Sequence, residues 1–337
     1  MLVTIGILAH NKANKIAGLI SDLGKQTLLA NDDLSIDIHV VANGCTDATI
    51  RVSKGALAVP AFQRGNTRVF IQNIEHAGKS NAWNELVHEF ASPKTDFVFF
   101  VDADIRIPEA ASLQLILDRL VDAKKARVAV DQSIKDLSEQ AHKTLVEKLI
   151  LAASGSAYDN YTSFAGALYC VRFKVLKDVW MPIGLPREDE FLRAMILTSN
   201  FTQDENLERI VYVDGTRHIF ESERTVKGVF RRNIRLVIGT AINMLLFKHI
   251  RATPSIQKDV GGYIRKRNMA DPKWINELIS NEIRRERFLS KRLQRLASFP
   301  LSERLRKIPI TIVGFVFDLA LFFAANHLVR RGPEAGY

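Results

Sequence analysis

The chain has 337 residues, 47% of them hydrophobic, which is enough for one large α/β domain with an appendage. Its two cysteines, Cys45 and Cys170, exclude a disulfide framework and point to a reducing compartment. The net charge of +10 is uneven: residues 1–223 hold 24 Lys and Arg against 29 Asp and Glu, residues 224–307 hold 21 against 6, and residues 308–337 hold 2 against 2.

Val3 to Ala9 reads as a first strand, and the apolar run from Leu2 is too short and too uncharged in front for a signal peptide. It ends in His10-Asn11-Lys12, after which Ile16, Leu19, Ile20 and Leu23 mark one face of a helix. Ile36 to Ala42 is a second strand, followed by Asn43-Gly44-Cys45-Thr46-Asp47, a turn with Thr46 or Asp47 placed to cap a helix near Ala48. Val69 to Gln72 is a third strand, and Gly78-Lys79-Ser80 then leads into a helix. Phe97 to Val101 is a fourth strand, apolar throughout and so buried on both faces, that runs directly into Asp102-Ala103-Asp104. Strands alternating with helices predict an α/β fold with a doubly wound, mostly parallel sheet.

In such a sheet ligands gather beyond the carboxyl ends of the strands. Asp102 and Asp104 repel each other there unless a cation lies between them, and Mg²⁺ or Mn²⁺ with a nucleoside diphosphate is the simplest answer. An acidic turn with no ligand is the alternative, since Asp is common in turns.

Four pieces in order, Ala9-His10-Asn11, Asn43-Gly44-Cys45-Thr46-Asp47, Gly78-Lys79 and Asp102-Ala103-Asp104, resemble family 2 glycosyltransferases of the GT-A fold over about residues 1–240. The resemblance implies a nucleotide-sugar donor, a UDP- or GDP-sugar, with Asp102 and Asp104 in the place of the DXD motif: Asp104 as ligand of Mn²⁺ or Mg²⁺, and Asp102 near the ribose and the metal's waters, a nucleotide-binding residue and second metal ligand. It also sets Ala9, Asn11, Asn43, Gly44, Asp47 and Lys79 near the nucleotide. Phe164 to Cys170, a small-residue strand followed by Arg172, matches the strand under donor sugar and acceptor. Pro186-Arg187-Glu188-Asp189-Glu190 opens a helix faced by Phe191, Leu192, Met195 and Ile196. Carboxylates suit a first helical turn without any function, but the family has a Glu-Asp pair here. Its Asp takes the proton of the attacking hydroxyl, a role that falls to Asp189, with Glu188 next in line. Ile210 to Val213 is a further strand leading to Asp214-Gly215-Thr216-Arg217-His218, and the resemblance offers His218 as a third metal ligand.

Val229 to Leu236 resembles the (Q/R)QXXRW motif of membrane-bound members: Arg231 and Arg235 match and face the diphosphate by analogy, while Arg232 replaces the Gln and Leu236 the Trp. Val237 to Phe247 is apolar but short for a span. Residues 272–299 read as a basic amphipathic helix, with Trp274 and Ile275 on its apolar side, suited to an anionic bilayer. Ile308 to Val329 gives a mostly apolar run long enough to cross or enter a membrane, interrupted by Asp318, Asn326 and His327.

The expected layout is therefore a GT-A catalytic domain over 1–223, a basic helical segment over 224–307 and a membrane-embedded helix with a short tail over 308–337. The basic residues before the last run set the catalytic domain on the cytoplasmic side. The expected activity is inverting sugar transfer from a nucleotide-sugar to a hydroxyl on a lipid or glycan acceptor at the membrane, without nucleic acid. A nucleotidyltransferase shares this kind of sheet, but it wants a Gly-rich basic signature after the first strand, which His10-Asn11-Lys12-Ala13-Asn14 does not supply. A non-enzymatic basic protein that binds nucleic acid or membrane is the remaining reading. The basic segment permits it, but no nucleic-acid motif appears.

Overall fold

The computed structural model describes residues 1–144, 147–148, 164–275, 319–321, 323, 324 and 327. Seven strands form one sheet: β1 (Leu2–Ala9), β2 (Ser35–Asn43), β3 (Thr67–Ile74), β4 (Phe97–Asp102), β5 (Val128–Lys135), β6 (Leu168–Arg172) and β7 (Ile210–Phe220). Their order is β3-β2-β1-β4-β6-β5-β7. All neighbouring pairs are parallel except those of β6, which runs antiparallel to both β4 and β5.

Alternation along the strands sorts the core onto two faces. Ile5, Ile7, Ile38, Val40, Phe99 and Val101 pack on one face, under α1 (Ile16–Leu23) and α4 (Ser112–Asp122). Leu8, Val41, Val98, Phe100 and Tyr169 pack on the other. That face is covered by α3 (Lys79–Glu85), α6 (Glu188–Thr198) and the 27-residue α7 (Val226–Ala252). The helix α2 (Thr49–Leu57) follows β2, and a short turn of helix, α5 (Asp136–Glu139), follows β5.

Several expectations change. The strand expected at Phe164 begins only at Leu168 and runs against its neighbours, so the sheet is mixed. Asp214-Gly215 does not end a strand. Gly215 takes φ +77° and the pairing of β5 with β7 slips between Val130 and Gln132, so a bulge absorbs the turn and β7 continues to Phe220. Val237 to Phe247 belongs to α7, whose Ile238, Ala241, Ile242, Leu245 and Leu246 are buried in the same core as β4 and α6. The segment after residue 223 therefore shares the core of the sheet. Trp274 and Ile275 are also buried in the protein instead of facing a bilayer: Trp274 Nε1 donates to Asn268 Oδ1 at 2.9 Å, and the Arg267 guanidinium lies over its ring. The rest of 272–299 and most of 308–329 lie outside the described residues. Among the described residues no helix is long and apolar enough to cross a membrane.

Candidate active site

The winding of the sheet reverses between β1 and β4, because β2 and β3 lie to one side and β6, β5 and β7 to the other. Loops leaving adjacent strands in opposite directions open a crevice at their carboxyl ends. Leu8 pairs with Asp102 at that edge. The antiparallel β6 contributes its beginning there, since Val101 pairs with Leu168 and the Asp102 N–H donates to the Ala167 carbonyl at 2.8 Å. This single reversed strand brings Gly166 to the crevice.

A chain of charges crosses the crevice. Lys79, the first residue of α3, holds its ammonium 2.6 Å from Asp102 Oδ1 and 3.1 Å from Glu188 Oε1, and donates to the Gly166 carbonyl at 3.0 Å. Lys12, in the loop after β1, donates to Asp104 Oδ2 at 2.6 Å. Glu188 and Asp189 open α6, where the helix dipole favours them. Asp189 lies against Gly166: a Cβ on residue 166 would stand 2.8 Å from the Asp189 Cβ.

Desolvation pushes the Asp102 carboxyl up to about 6, with Lys79 opposing and Asp104 reinforcing the shift. Burial works against the charge of Lys79, but Asp102 and Glu188 outweigh it and raise its pKa. Burial likewise raises Asp189, Glu188 adds to the rise, and Arg187 and Lys79 pull it back. A carboxylate made more basic than usual yet kept beside cations is suited to accept a proton.

The loops after β1 and β2 are stitched together. The Asn11 side-chain carbonyl, on a residue at φ 51°, accepts from the N–H of Thr46 at 2.8 Å. Asp47 accepts from Ala13 N–H at 3.0 Å, and the buried Asn43 donates to Ala9 O at 2.8 Å while accepting from Gly78 N–H at 3.0 Å. Gly44 sits at φ +55° against Ala77. Asn43 therefore has its amide groups committed to the shape of the crevice, and the Asn11 carbonyl is committed in the same way. Arg231 and Arg235 are exposed on α7, two and one helical repeats of four before Gly239, which abuts Arg187.

A divalent cation fits Asp102 and Asp104 by their chemistry. Both are hard oxygen donors, and Asp102 Oδ2 and Asp104 Oδ1 have no hydrogen bond to another described residue. Among the described residues no group of three or more His, Cys, Asp or Glu forms a cage. His218 does not complete the set. It is fully buried on β7, its Nδ1 2.8 Å from Asp131 Oδ1 and its Nε2 3.1 Å from Ser133 Oγ, so both ring nitrogens are taken inside the sheet.

The sequence between residues 4 and 180 matches the model of "Glycosyl transferase family 2". The chain belongs to that family. As a family 2 glycosyltransferase it is an enzyme of sugar transfer. Among solved structures it is similar to a mannosyltransferase from Pyrobaculum calidifontis in complex with GDP-Man and Mn²⁺. That pair shares 15% identity at a TM-score of 0.56, over 97% of this chain and 86% of the other. TarS of S. aureus in complex with UDP gives 13% identity and a TM-score of 0.47 over 98% and 92% of the two chains. Glucosyl-3-phosphoglycerate synthase from Mycobacterium tuberculosis, with Mn²⁺, UDP-glucose and phosphoglyceric acid, gives 15% and 0.48 over 73% and 79%. The first of these supports the fold. No curated protein sequence matches the chain.

Lys12 and Arg187 join the candidate site of this glycosyltransferase only through the fold. Lys12 was visible as a cation directly behind His10-Asn11, and Arg187 as a cation directly before Glu188-Asp189. What the sequence did not show is that each faces a carboxylate, in the case of Lys12 one 92 positions away.

Proposed function

We propose that this glycosyltransferase moves a sugar, with inversion, from a UDP- or GDP-sugar to a hydroxyl on a lipid or lipid-linked saccharide. The observation that carries this reading is the convergence of Asp102, Lys79, Glu188 and Asp189 at the mouth of the β1–β4 crevice, within the family's matched region or directly after it. Asp189 accepts the proton of the acceptor hydroxyl. The hydroxyl oxygen bonds to the anomeric carbon as the bond from that carbon to the diphosphate oxygen breaks, and the nucleoside diphosphate departs. Glu188 is the second candidate for the base. Its ion pair with Lys79 makes it the less available of the two.

Asp102 and Asp104 take the place of the DXD motif and would hold Mn²⁺ or Mg²⁺, which neutralises the diphosphate when bound. The Mn²⁺ in the mannosyltransferase complex is consistent with such a metal. Lys79 places a positive charge where the leaving group needs one, and Arg231 and Arg235 add two more from α7. Ala9, Asn11, Asn43, Gly44 and Asp47 shape the nucleotide end.

Membrane attachment, with the catalytic domain on the cytoplasmic face, is supported by the excess of Lys and Arg over residues 224–307 and the apolar run of 308–329. A nucleotide-sugar screen tests the whole reading. With Mn²⁺ present, a UDP- or GDP-sugar should raise the melting temperature by a few degrees at a hundredfold excess over its Kd, where binding adds about 2.7 kcal/mol. No shift with any nucleotide-sugar would reject it.

A further inference from the structure

Asp189 is not set in place by its own helix alone. The Arg187 side chain, one residue before α6, turns toward it with Nε 3.7 Å from Asp189 Oδ1 and 3.6 Å from Glu190 Oε2. Arg187 is in turn seated on α7. Its Nη1 donates to Thr240 Oγ1 at 3.2 Å, and its backbone carbonyl accepts from Asn243 Nδ2 at 2.9 Å. The Thr240 hydroxyl donates a hydrogen bond to Glu190 Oε2 at 3.4 Å, and Asn243 Nδ2 donates to the same oxygen at 3.3 Å. Gly239 makes the seat possible: a Cβ there would lie 2.5 Å from Arg187 Cγ and 3.3 Å from its backbone nitrogen. The segment Gly239-Thr240 with Asn243 thus shapes one side of α7 around a single arginine.

We propose that Arg187 is the positioning residue of this glycosyltransferase for Asp189, and that α7 sets both the place and the ionisation of that base through Arg187. The proposal rests on the reading of Asp189 as the proton acceptor. Other charged groups facing Asp189 are Glu188 and Glu190 on its own helix and Lys79 on α3, with Asp102 behind Lys79. The residues α7 brings to the seat, Thr240 and Asn243, do not titrate. Arg187 is the stronger of the two cations that offset burial and Glu188 at Asp189; it is shared with Glu190, as Lys79 is with Asp102 and Glu188. Without Arg187 the carboxylate holds its proton to higher pH, and the base is lost from the acid side first.

The test is the pH profile of donor hydrolysis by the full chain, read together with nucleoside diphosphate affinity by calorimetry. Arg187→Gln should lower kcat/KM about tenfold near pH 6 and recover to within about twofold of wild type near pH 8.5, the signature of a base whose protonated fraction has grown. Arg187→Lys should restore most of the loss near pH 6, and affinity for the nucleoside diphosphate should stay within about twofold. Gly239→Ala, which crowds Arg187 without removing any charge, should give the same tilt in weaker form and keeps the proposal testable if Arg187→Gln does not fold. An equal loss at every pH, no loss, or a weakened nucleoside diphosphate affinity would overturn it. Asp189→Asn with wild-type turnover would instead defeat the reading of Asp189 itself, and the two failures are distinct.

Discussion

Lys12 Nζ lies 2.6 Å from Asp104 Oδ2, and both side chains are 36% exposed. An ammonium on a carboxylate that is to hold a divalent cation competes with it. A pair this exposed is worth up to about 1 kcal/mol, so the competition is modest. Lys12→Met should bind Mn²⁺ about twofold to fivefold more tightly in the nucleotide-free protein, measured by calorimetry, the range such a pair energy allows. Equal affinity would show that the ammonium steps aside without cost.

Gly166 touches the other end of the charge chain. Alanine there must displace Asp189, because the new Cβ meets the Asp189 Cβ at 2.8 Å. Small displacements of a reacting group cost up to about a hundredfold in rate. Gly166→Ala should therefore lower turnover by more than about tenfold with nucleoside diphosphate affinity nearly unchanged. If turnover stays at the wild-type level, Asp189 has room to move, or it is not the base.

Gly44 is a prediction about stability. Its φ of +55° lies in the left-handed region, and a Cβ would meet the Ala77 backbone at 2.9 Å. Gly44→Ala should lower the unfolding free energy by about 1–3 kcal/mol in urea titration, the scale of a strained backbone position. A stability within about 0.5 kcal/mol of wild type would mean that the loop after β3 yields freely.

Two histidines give the fold a pH dependence. Burial lowers the pKa of His39, which stacks on Phe70, and of His88, which stacks on Trp180 and bonds the Val179 carbonyl. Their folded values lie below the unfolded value of about 6.5, so they lose stability for the fold as pH falls through that value: the unfolded chain takes up protons that the folded one refuses. Replacing both by Phe should shrink the drop in urea midpoint between about pH 7.5 and about pH 5.5. An unchanged drop would place the acid sensitivity elsewhere.

The strands of the first half were legible because β1 and β4 are buried on both faces and read as mostly apolar runs, and β2 alternates before it turns apolar at Val40. The polar turns that end them, at the sheet edge where the candidate site lies, were legible too. The fifth strand was not, since Val128 to Lys135 turns polar at Asp131 and its second half is no longer fully buried. Nor was the direction of β6, which no local pattern encodes. His218 misled for a related reason: its partner Asp131 comes from a strand 87 positions away, and a histidine satisfied inside a sheet looks, in one dimension, like one free to bind metal. The ion pairs Lys12–Asp104 and Lys79–Asp102 join residues that only the fold makes neighbours.

The most direct test of the central claim compares Asp189→Asn with wild type in two assays on the same protein: Mn²⁺-supported binding of the nucleotide-sugar, and its hydrolysis or transfer. The substitution keeps the side chain's size and its place against Gly166 while removing its ability to take a proton. Binding should stay within about twofold of wild type, and turnover should fall by about a hundredfold or more, the scale of a lost general base. Turnover close to wild type with binding intact would contradict the assignment, and would leave Glu188 as the group to examine.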